Sequence, residues 1–354
     1  MKRIVLTGGG TAGHVTPNLA LIPVLQKEGW EIHYIGTENG IERQLVEPLE
    51  GVTYYGIASG KLRRYFDWKN FTDPFRVIKG AAQASSIIGK LKPDIVFSKG
   101  GFVSVPVVFA AYTHHVPVVC HESDMTPGLA NKLTTPFAKA LCCTFPEAAK
   151  LAGEKGVHTG SPIRPEILTG DRSRGLKRFG FNDSHPVLMV TGGSTGAQAI
   201  NRALREALPQ LTEVFQVLHL CGAGNLDSML EGMPGYCQVE YLNEEMADAF
   251  ACADILISRA GSNTVCEILA LKKPCLLIPY PKAASRGDQL LNADSLKKRG
   301  LADVLLQEDM TADELVKRIV ALYHDRGRLI DALEAEPSGN GLQNVLDVIH
   351  KYAK

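Results

Sequence analysis

A strand, a glycine loop and a helix start occur together twice in this chain. Leu6-Thr7-Gly8-Gly9-Gly10-Thr11-Ala12-Gly13-His14 near the N-terminus is echoed by Val190-Thr191-Gly192-Gly193-Ser194-Thr195-Gly196-Ala197-Gln198 in the middle. In each copy an apolar run ends in Thr-Gly-Gly, and a helical pattern follows, to about Glu28 in the first and over Ile200–Leu208 in the second. Such a unit fits a parallel strand whose helix packs back on the sheet, so two copies imply two similar α/β domains. The length of 354 residues suits about two domains, and a hydrophobic content of 45% is enough for two cores. The stiff run Gly160-Ser161-Pro162-Ile163-Arg164-Pro165 marks the boundary, giving domains of 1–163 and 164–339. A last helix, about Gly341–Tyr352, carries Leu342, Val345, Leu346, Ile349 and Tyr352 at helical spacing. This stripe has no strand partner in its own domain, so residues 340–354 are expected to cross back onto the first.

Apolar strands alternate with helical patterns in both halves, which predicts doubly wound parallel sheets. In the first half the strands are expected at Arg3–Thr7, Glu31–Ile35, Thr53–Tyr55, Asp94–Phe97 and Val116–Cys120. Ligands of such sheets bind beyond the carboxyl ends of the strands. There the first domain would place Gly8–His14, Ser98–Phe102 and the loop His121-Glu122-Ser123-Asp124. In the second domain the strand Ile255–Ile257 leads to Gly261, with Ser262 or Asn263 as helix cap and Glu267 on the second turn. A glycine loop at a helix start offers free N–H groups and a positive dipole end, which suits phosphate. Asp288-Gln289 opens a neighbouring helix at the same edge, where sugar hydroxyls could be met.

Several function classes are disfavoured. Lys+Arg and Asp+Glu both number 38, so no global field favours nucleic acid. Residues 1–163 hold 17 basic and 13 acidic side chains, which leaves a slight positive bias for meeting something anionic. Eight cysteines without CxxC or Cys/His metal spacing suggest buried free thiols in a reducing cytosol and no metal site. No stretch approaches the roughly 20 apolar residues of a membrane span, and Met1-Lys2-Arg3 leads straight into a strand, so a cytoplasmic location is expected. Gly60–Lys79 is the exception to the α/β rhythm. Its interleaved Trp68, Lys69, Phe71, Phe75, Arg76 and Lys79 fit a surface that lies on a membrane and reaches lipid phosphates, or else a loop tucking its aromatics inward. Gly8-x-Gly10-x-x-Gly13 with Glu38 matches a dinucleotide fingerprint, which alone would point to a dehydrogenase. Gly192-x-Ser194 breaks that fingerprint in the second copy.

Six motifs taken together resemble one family along essentially the whole chain. They are Gly8–Pro17, Lys99–Pro106, His121–Lys132, Gly192–Ala197, Arg259–Glu267 and Asp288-Gln289-x-x-Asn292-Ala293. The family is MurG, the glycosyltransferases that move N-acetylglucosamine from UDP onto lipid I to give lipid II for peptidoglycan. The resemblance implies a GT-B fold, two Rossmann-like domains with a cleft between them, the donor mainly on the second. It places Ser262, Asn263, Thr264, Val265, Cys266 and Glu267 at the diphosphate and ribose, Ser194 and Arg164 near phosphate, Leu242 beside uracil and Gln289 on sugar hydroxyls. From the first domain Thr11, Ala12, Gly13 and Asp124 would close over the sugar. The family's membrane patch falls in the same region as Lys61–Lys79. The implied partners are UDP-N-acetylglucosamine, lipid I, an anionic phospholipid surface on the cytoplasmic face of the membrane and other cell-wall synthesis proteins, with no cofactor required.

This chain departs from the family at Ala12, where glycine is usual, and at Ser123-Asp124, where Gln-Asn is common. The implied reaction is an inverting transfer that needs one base and a stabilised leaving group. His14 is the favoured base, because an ordinary imidazole accepts a proton at neutral pH, with His121 and Asp124 as rivals. The other readings are a nucleotide-sugar epimerase or glycolipid synthase on the same fold, and a scaffold that binds UDP-sugar without turnover.

Overall fold

The computed structural model describes residues 1–59, 73–193, 196–282 and 287–354. It divides into two compact units, Met1–Arg164 with Asn340–Lys354, and Pro165–Gly339. The first contains β1 (Arg3–Thr7), α1 (Thr16–Lys27), β2 (Glu31–Thr37), α2 (Ile41–Val46), β3 (Val52–Ile57), α3 (Asp73–Leu91), β4 (Ile95–Ser98), α4 (Ser104–Thr113), β5 (Val118–Glu122), α5 (Leu129–Thr134), β6 (Ala140–Cys143), α6 (Pro146–Leu151) and β7 (Gly156–His158). The second contains α7 (Arg172–Phe179), β8 (Val187–Thr191), α8 (Gln198–Leu211), β9 (Gln216–Leu220), β10 (Tyr236–Val239), α9 (Met246–Cys252), β11 (Ile255–Ser258), α10 (Ser262–Leu271), β12 (Cys275–Leu277), α11 (Asp288–Lys298), β13 (Asp303–Val304), α12 (Ala312–His324) and α13 (Arg326–Glu334). Helix α14 (Gly341–Tyr352) belongs to the first unit.

The first sheet runs β3-β2-β1-β4-β5-β6-β7 and the second β10-β9-β8-β11-β12-β13. Every strand pairing among the described residues is parallel. Both sheets are wound outward from the middle in two directions, so each has a switch point where strand order reverses: β1/β4 in one and β8/β11 in the other. Crevices at such points are where ligands enter doubly wound sheets.

The central strands of each sheet are buried on both faces, as their near-continuous apolar runs require, while the edge strands β3, β7, β10 and β13 are partly exposed. Ile4, Leu6, Leu21, Leu25, Ile32 and Phe97 form the first core, together with Val345, Leu346 and Ile349 of α14. Asn344 Nδ2 donates to the Thr159 carbonyl at 2.9 Å, and the His350 and Glu28 side chains meet at 2.8 Å, so the returning helix is held by its polar edge as well. Leu188, Val190, Ile200, Leu204, Val217, Ile255 and Ile257 form the core of the second unit. The eight cysteines are free, and all but Cys237 are buried.

Several elements differ from expectation. The polar, basic run from Gly170 to Arg178 contains most of helix α7. The Asp171 side chain caps it by accepting from Arg174 N at 2.7 Å, Gly180 closes it in a left-handed conformation, and Leu176 and Phe179 face the core. Strand β5 runs on through His121 and Glu122, so those residues lie in the sheet and not in a loop. Helix α10 is capped by Gly261 with no side-chain cap, so neither Ser262 nor Asn263 has the expected capping role; Ser262 is already the first helical residue.

Candidate active site

At the first switch point the loop after β1 lies against the turn after β4. Gly101 has φ +84°, and a Cβ there would run into the Gly9 carbonyl, so only glycine permits this approach. Glu42 of α2 holds the loop from behind. Its carboxylate accepts from Gly10 N at 3.1 Å, Thr37 N at 3.0 Å and Thr37 Oγ1 at 2.6 Å. Hydrogen bonds from Thr37 and Gly10 lower its pKa against the opposing effect of burial. Ala12 and Gly13 sit in a one-turn 3-10 helix, Ala12–His14, whose right-handed backbone suits alanine.

His14 ends that turn. Its Nδ1 is 3.0 Å from Thr11 Oγ1. Burial, and then the nearby Lys99 ammonium, push its pKa down to about 4, against the raising effects of a hydrogen bond to the Gly9 backbone and the Glu42 charge. The imidazole is therefore neutral at pH 7, but it is a weaker base than the ordinary value near 6.5 suggests. Lys99 is itself buried and donates to Ser123 Oγ. His121 is fully buried on β5, with Nε2 2.9 Å from the Gly160 carbonyl, and burial holds its pKa well below the usual value. A ring with no exposed surface cannot reach an incoming hydroxyl, which removes His121 from the rival bases. Glu122 shapes the next loop: Oε1 accepts from Asp124 N at 3.1 Å, and Oε2 accepts from Gly128 N at 2.8 Å and Asn131 Nδ2 at 2.9 Å. Asp124 is half-buried at that loop.

At the second switch point the loops after β8 and β11 leave adjacent paired strands, and on its other side the β8 loop meets the end of β9. Gly196 has φ +74°, and a Cβ there would strike the Cys221 carbonyl. Asn201 of α8 donates to that same carbonyl at 2.8 Å and meets His219 Nε2 at 3.0 Å, while His219 Nδ1 meets the Tyr236 hydroxyl at 2.8 Å. Ser194 lies outside the described residues. In the first turn of α10 the amides of Ser262, Asn263 and Thr264 have no intrahelical acceptor, whereas Val265 N is tied to the Gly261 carbonyl at 2.9 Å. The Val265 side chain is fully buried, that of Cys266 is buried to the same degree as Leu242, and Glu267 is half-buried. Gln289 Oε1 accepts from Tyr280 N at 3.2 Å, and its Nε2 lies 4.0 Å from where a Cβ on Gly261 would stand. Leu242 is buried and Arg164 is exposed.

Two side chains behind this edge were not singled out as site residues from sequence. Buried Arg259 donates to the carbonyls of Ile278 at 2.9 Å and Pro279 at 3.3 Å and to Gln307 at 2.7 Å, and stacks 4.1 Å over Tyr280. Fully buried Asn292 donates to the Ala260 carbonyl at 3.1 Å. Both stood inside the quoted motifs, but a motif does not say which of its members point inward.

Of the basic–aromatic segment, Trp68, Lys69 and Phe71 lie outside the described residues. Phe75 lies on α3, where Arg76, Ile78 and Lys79 are exposed. An apolar surface missed from sequence lies on α4 and α5, where Phe109, Tyr112, Leu129 and Leu133 are each about half exposed. Helical periodicity gave no warning, because α4 is apolar on almost every side. No helix among the described residues is long and apolar enough to cross a membrane.

Residues 4–142 match the glycosyltransferase family 28 N-terminal domain, and residues 187–349 match the family 28 C-terminal domain. The chain belongs to glycosyltransferase family 28. It is 53% identical over 355 residues to the UDP-N-acetylglucosamine--N-acetylmuramyl-(pentapeptide) pyrophosphoryl-undecaprenol N-acetylglucosamine transferase of Clostridium botulinum, covering 100% of both chains. It is 54% identical, again over 100% of both, to the enzyme of the same name from Lachnospira eligens. The crystal structure of MurG from Acinetobacter baumannii superposes with a TM-score of 0.80 at 27% identity, covering 99% of this chain and 100% of that one. The fold is GT-B, and the chain is a glycosyltransferase.

Proposed function

We propose that this protein moves N-acetylglucosamine from UDP-N-acetylglucosamine to the N-acetylmuramyl group of lipid I, making lipid II for peptidoglycan. The observation that carries this is end-to-end identity of 53–54% with transferases named for that reaction. On this reading the second unit holds the donor. The first-turn amides of α10 and the loop around Ser194, with Arg164, face the diphosphate. Glu267 takes the ribose hydroxyls, Leu242 borders uracil and Gln289 binds the sugar. Val265, with no exposed side-chain surface, acts through backbone and packing, and Cys266 borders the same helix start. Helix starts and an arginine supply the positive charge that a leaving diphosphate needs, so the reading asks for no cofactor beyond the donor. Thr11, Ala12, Gly13 and Asp124 contact the transferred sugar, and His14 takes the proton of the acceptor hydroxyl, with Asp124 as the remaining rival.

The first unit takes the lipid acceptor at the cytoplasmic face of the membrane. The exposed apolar side chains of α4 and α5 and the exposed Arg76 and Lys79 of α3 support this, since apolar contact and phosphate attraction together favour an anionic lipid surface. Other cell-wall synthesis proteins are further partners on this reading.

Calorimetric titration with UDP-N-acetylglucosamine, UDP-N-acetylgalactosamine and NADH tests the donor. A radiolabel transfer assay with lipid I then tests the acceptor. Selective binding of the first nucleotide and label in lipid II are expected. Binding of NADH alone, or donor binding with no transfer to lipid I, overturns the reading.

A further inference from the structure

Directly behind the Gly100–Gly101 turn, the first unit contains an apolar cavity of about 230 Å³. Ala81 of α3, Phe102, Val105 and Phe109 at and before α4, Leu133 of α5 and Phe137 form most of its wall. Ser59 and Thr134 bring hydroxyl groups to it, and that of Thr134 already donates to the Ala130 carbonyl at 3.0 Å. Phe137 stands edge-on to Phe109, with ring centroids 5.6 Å apart. At the rim Phe102, Phe109 and Leu133 are 39%, 51% and 47% exposed, so apolar surface leads from solvent into the hollow. A cavity with this lining has little to offer a polar ligand, and removing hydrocarbon from water into it is favourable.

Its position narrows the occupant. Phe102 directly follows Gly101, the residue pressed against the Gly9 carbonyl at the first switch point. A ligand whose charged end sits at that switch point and whose other end is branched hydrocarbon would find both surfaces within a few residues of each other. We propose that the cavity binds the isoprene units nearest the diphosphate of a polyprenyl-diphosphate acceptor, leaving the remainder of the tail in the bilayer. This rests on the acceptor reading above and adds to it a specific subsite, distinct from general adsorption to a membrane. The aromatic edges of Phe109 and Phe137 suit methyl-branched olefin, and the cavity holds only a short piece of chain. The enzyme therefore reads the start of the lipid and not its full length.

The test uses the full chain in non-ionic detergent, without vesicles. Transfer is measured to two acceptors with the same sugar and diphosphate, one carrying two isoprene units and the other a butyl chain. The wild type is expected to favour the isoprenyl acceptor by about tenfold or more in kcat/KM, the scale on which an apolar pocket discriminates small hydrocarbon differences. Val105→Trp and, separately, Ala81→Phe fill the cavity. Each should abolish that preference while keeping butyl-acceptor turnover, the KM for UDP-N-acetylglucosamine and cosedimentation with anionic vesicles unchanged. Butyl-acceptor turnover also reports that a variant has folded, and the second substitution serves if the first does not fold. Retained preference in both filled variants overturns the subsite, as does an equal loss on both acceptors. Loss of vesicle binding with the preference intact assigns these side chains to the membrane surface instead. A wild type that uses neither acceptor overturns the acceptor reading itself.

Discussion

Both units press a glycine of positive φ against a neighbouring loop at the carboxyl edge of a parallel sheet, with different groups behind it. In each, that glycine lets one loop touch the backbone of another: Gly101 on Gly9 across the β1/β4 switch point, and Gly196 on Cys221 one strand away, between β8 and β9. Behind the first edge lie titratable groups, Lys99, His14, His121, Glu42 and Glu122. Behind the second lie the amides Asn201, Asn292 and Gln289, with Arg259 as a permanent cation and a single buried imidazole, His219, bonded to Asn201. A shared fold therefore gives each unit a place to bind, and the buried side chains decide what is done there. An amide-backed edge with a free helix start is suited to holding an anion of fixed charge. An edge that keeps a neutral imidazole, His14, beside a buried lysine offers a group that can accept a proton.

The largest effects should separate these roles. His14→Ala should lower kcat by about 10²–10⁴-fold with little change in UDP affinity, which calorimetry and steady-state kinetics measure side by side. Asn292→Ala, in the second unit, should act in the opposite sense. It releases the Ala260 carbonyl and loosens the turn before α10, at a cost of about 1–3 kcal/mol for an unsatisfied buried group. That cost should appear chiefly as weaker UDP-N-acetylglucosamine binding. If both variants lose kcat alone, or both lose donor affinity alone, the division between the units does not hold. Near-normal turnover in His14→Ala would instead leave Asp124 as the base.

What sequence could reveal follows from the same division. The two domains, their parallel sheets and the return of α14 were legible, because strand burial and the Val345–Ile349 stripe follow from apolar periodicity alone. The switch-point loops were legible, because positive φ and close approach leave glycine as their mark. The groups behind the loops were not. Lys99 looks like a surface lysine until β4 places it under the glycine loop, and His121 reads as an exposed loop residue until β5 is seen to continue through it. Helix α7 was hidden by its polar face, although Asp171 and Gly180 stood at its ends as signals. The ordinary pKa assumed for His14 also failed for lack of tertiary knowledge, since burial and Lys99 act on it only in the folded chain.

A smaller effect sharpens the contrast through pH. In the first unit His14 is held at about 4, and His33 and His121 are also lowered, all chiefly by burial. In the second, burial and the Arg205 charge hold His219 at about 3. An unfolded histidine takes up its proton near pH 6.5, while these folded rings refuse it until their lower values are reached. Their contribution to stability is thus complete above about pH 6.5 and is lost as pH falls toward the folded pKa, by at most about 1.4 kcal/mol per pH unit for each ring. Between pH 6.5 and 5 most carboxylates stay ionised, so the histidines set most of the slope. Hydrogen exchange on the whole chain, corrected for intrinsic rates, should show protection falling more steeply in β1, β4 and β5 than in β8 and β11. His219→Asn should flatten the slope of the second unit alone. Equal slopes in the wild type would mean that the titratable groups behind the first edge are not held neutral by its packing, and the physical basis for separating the two units would fail with them.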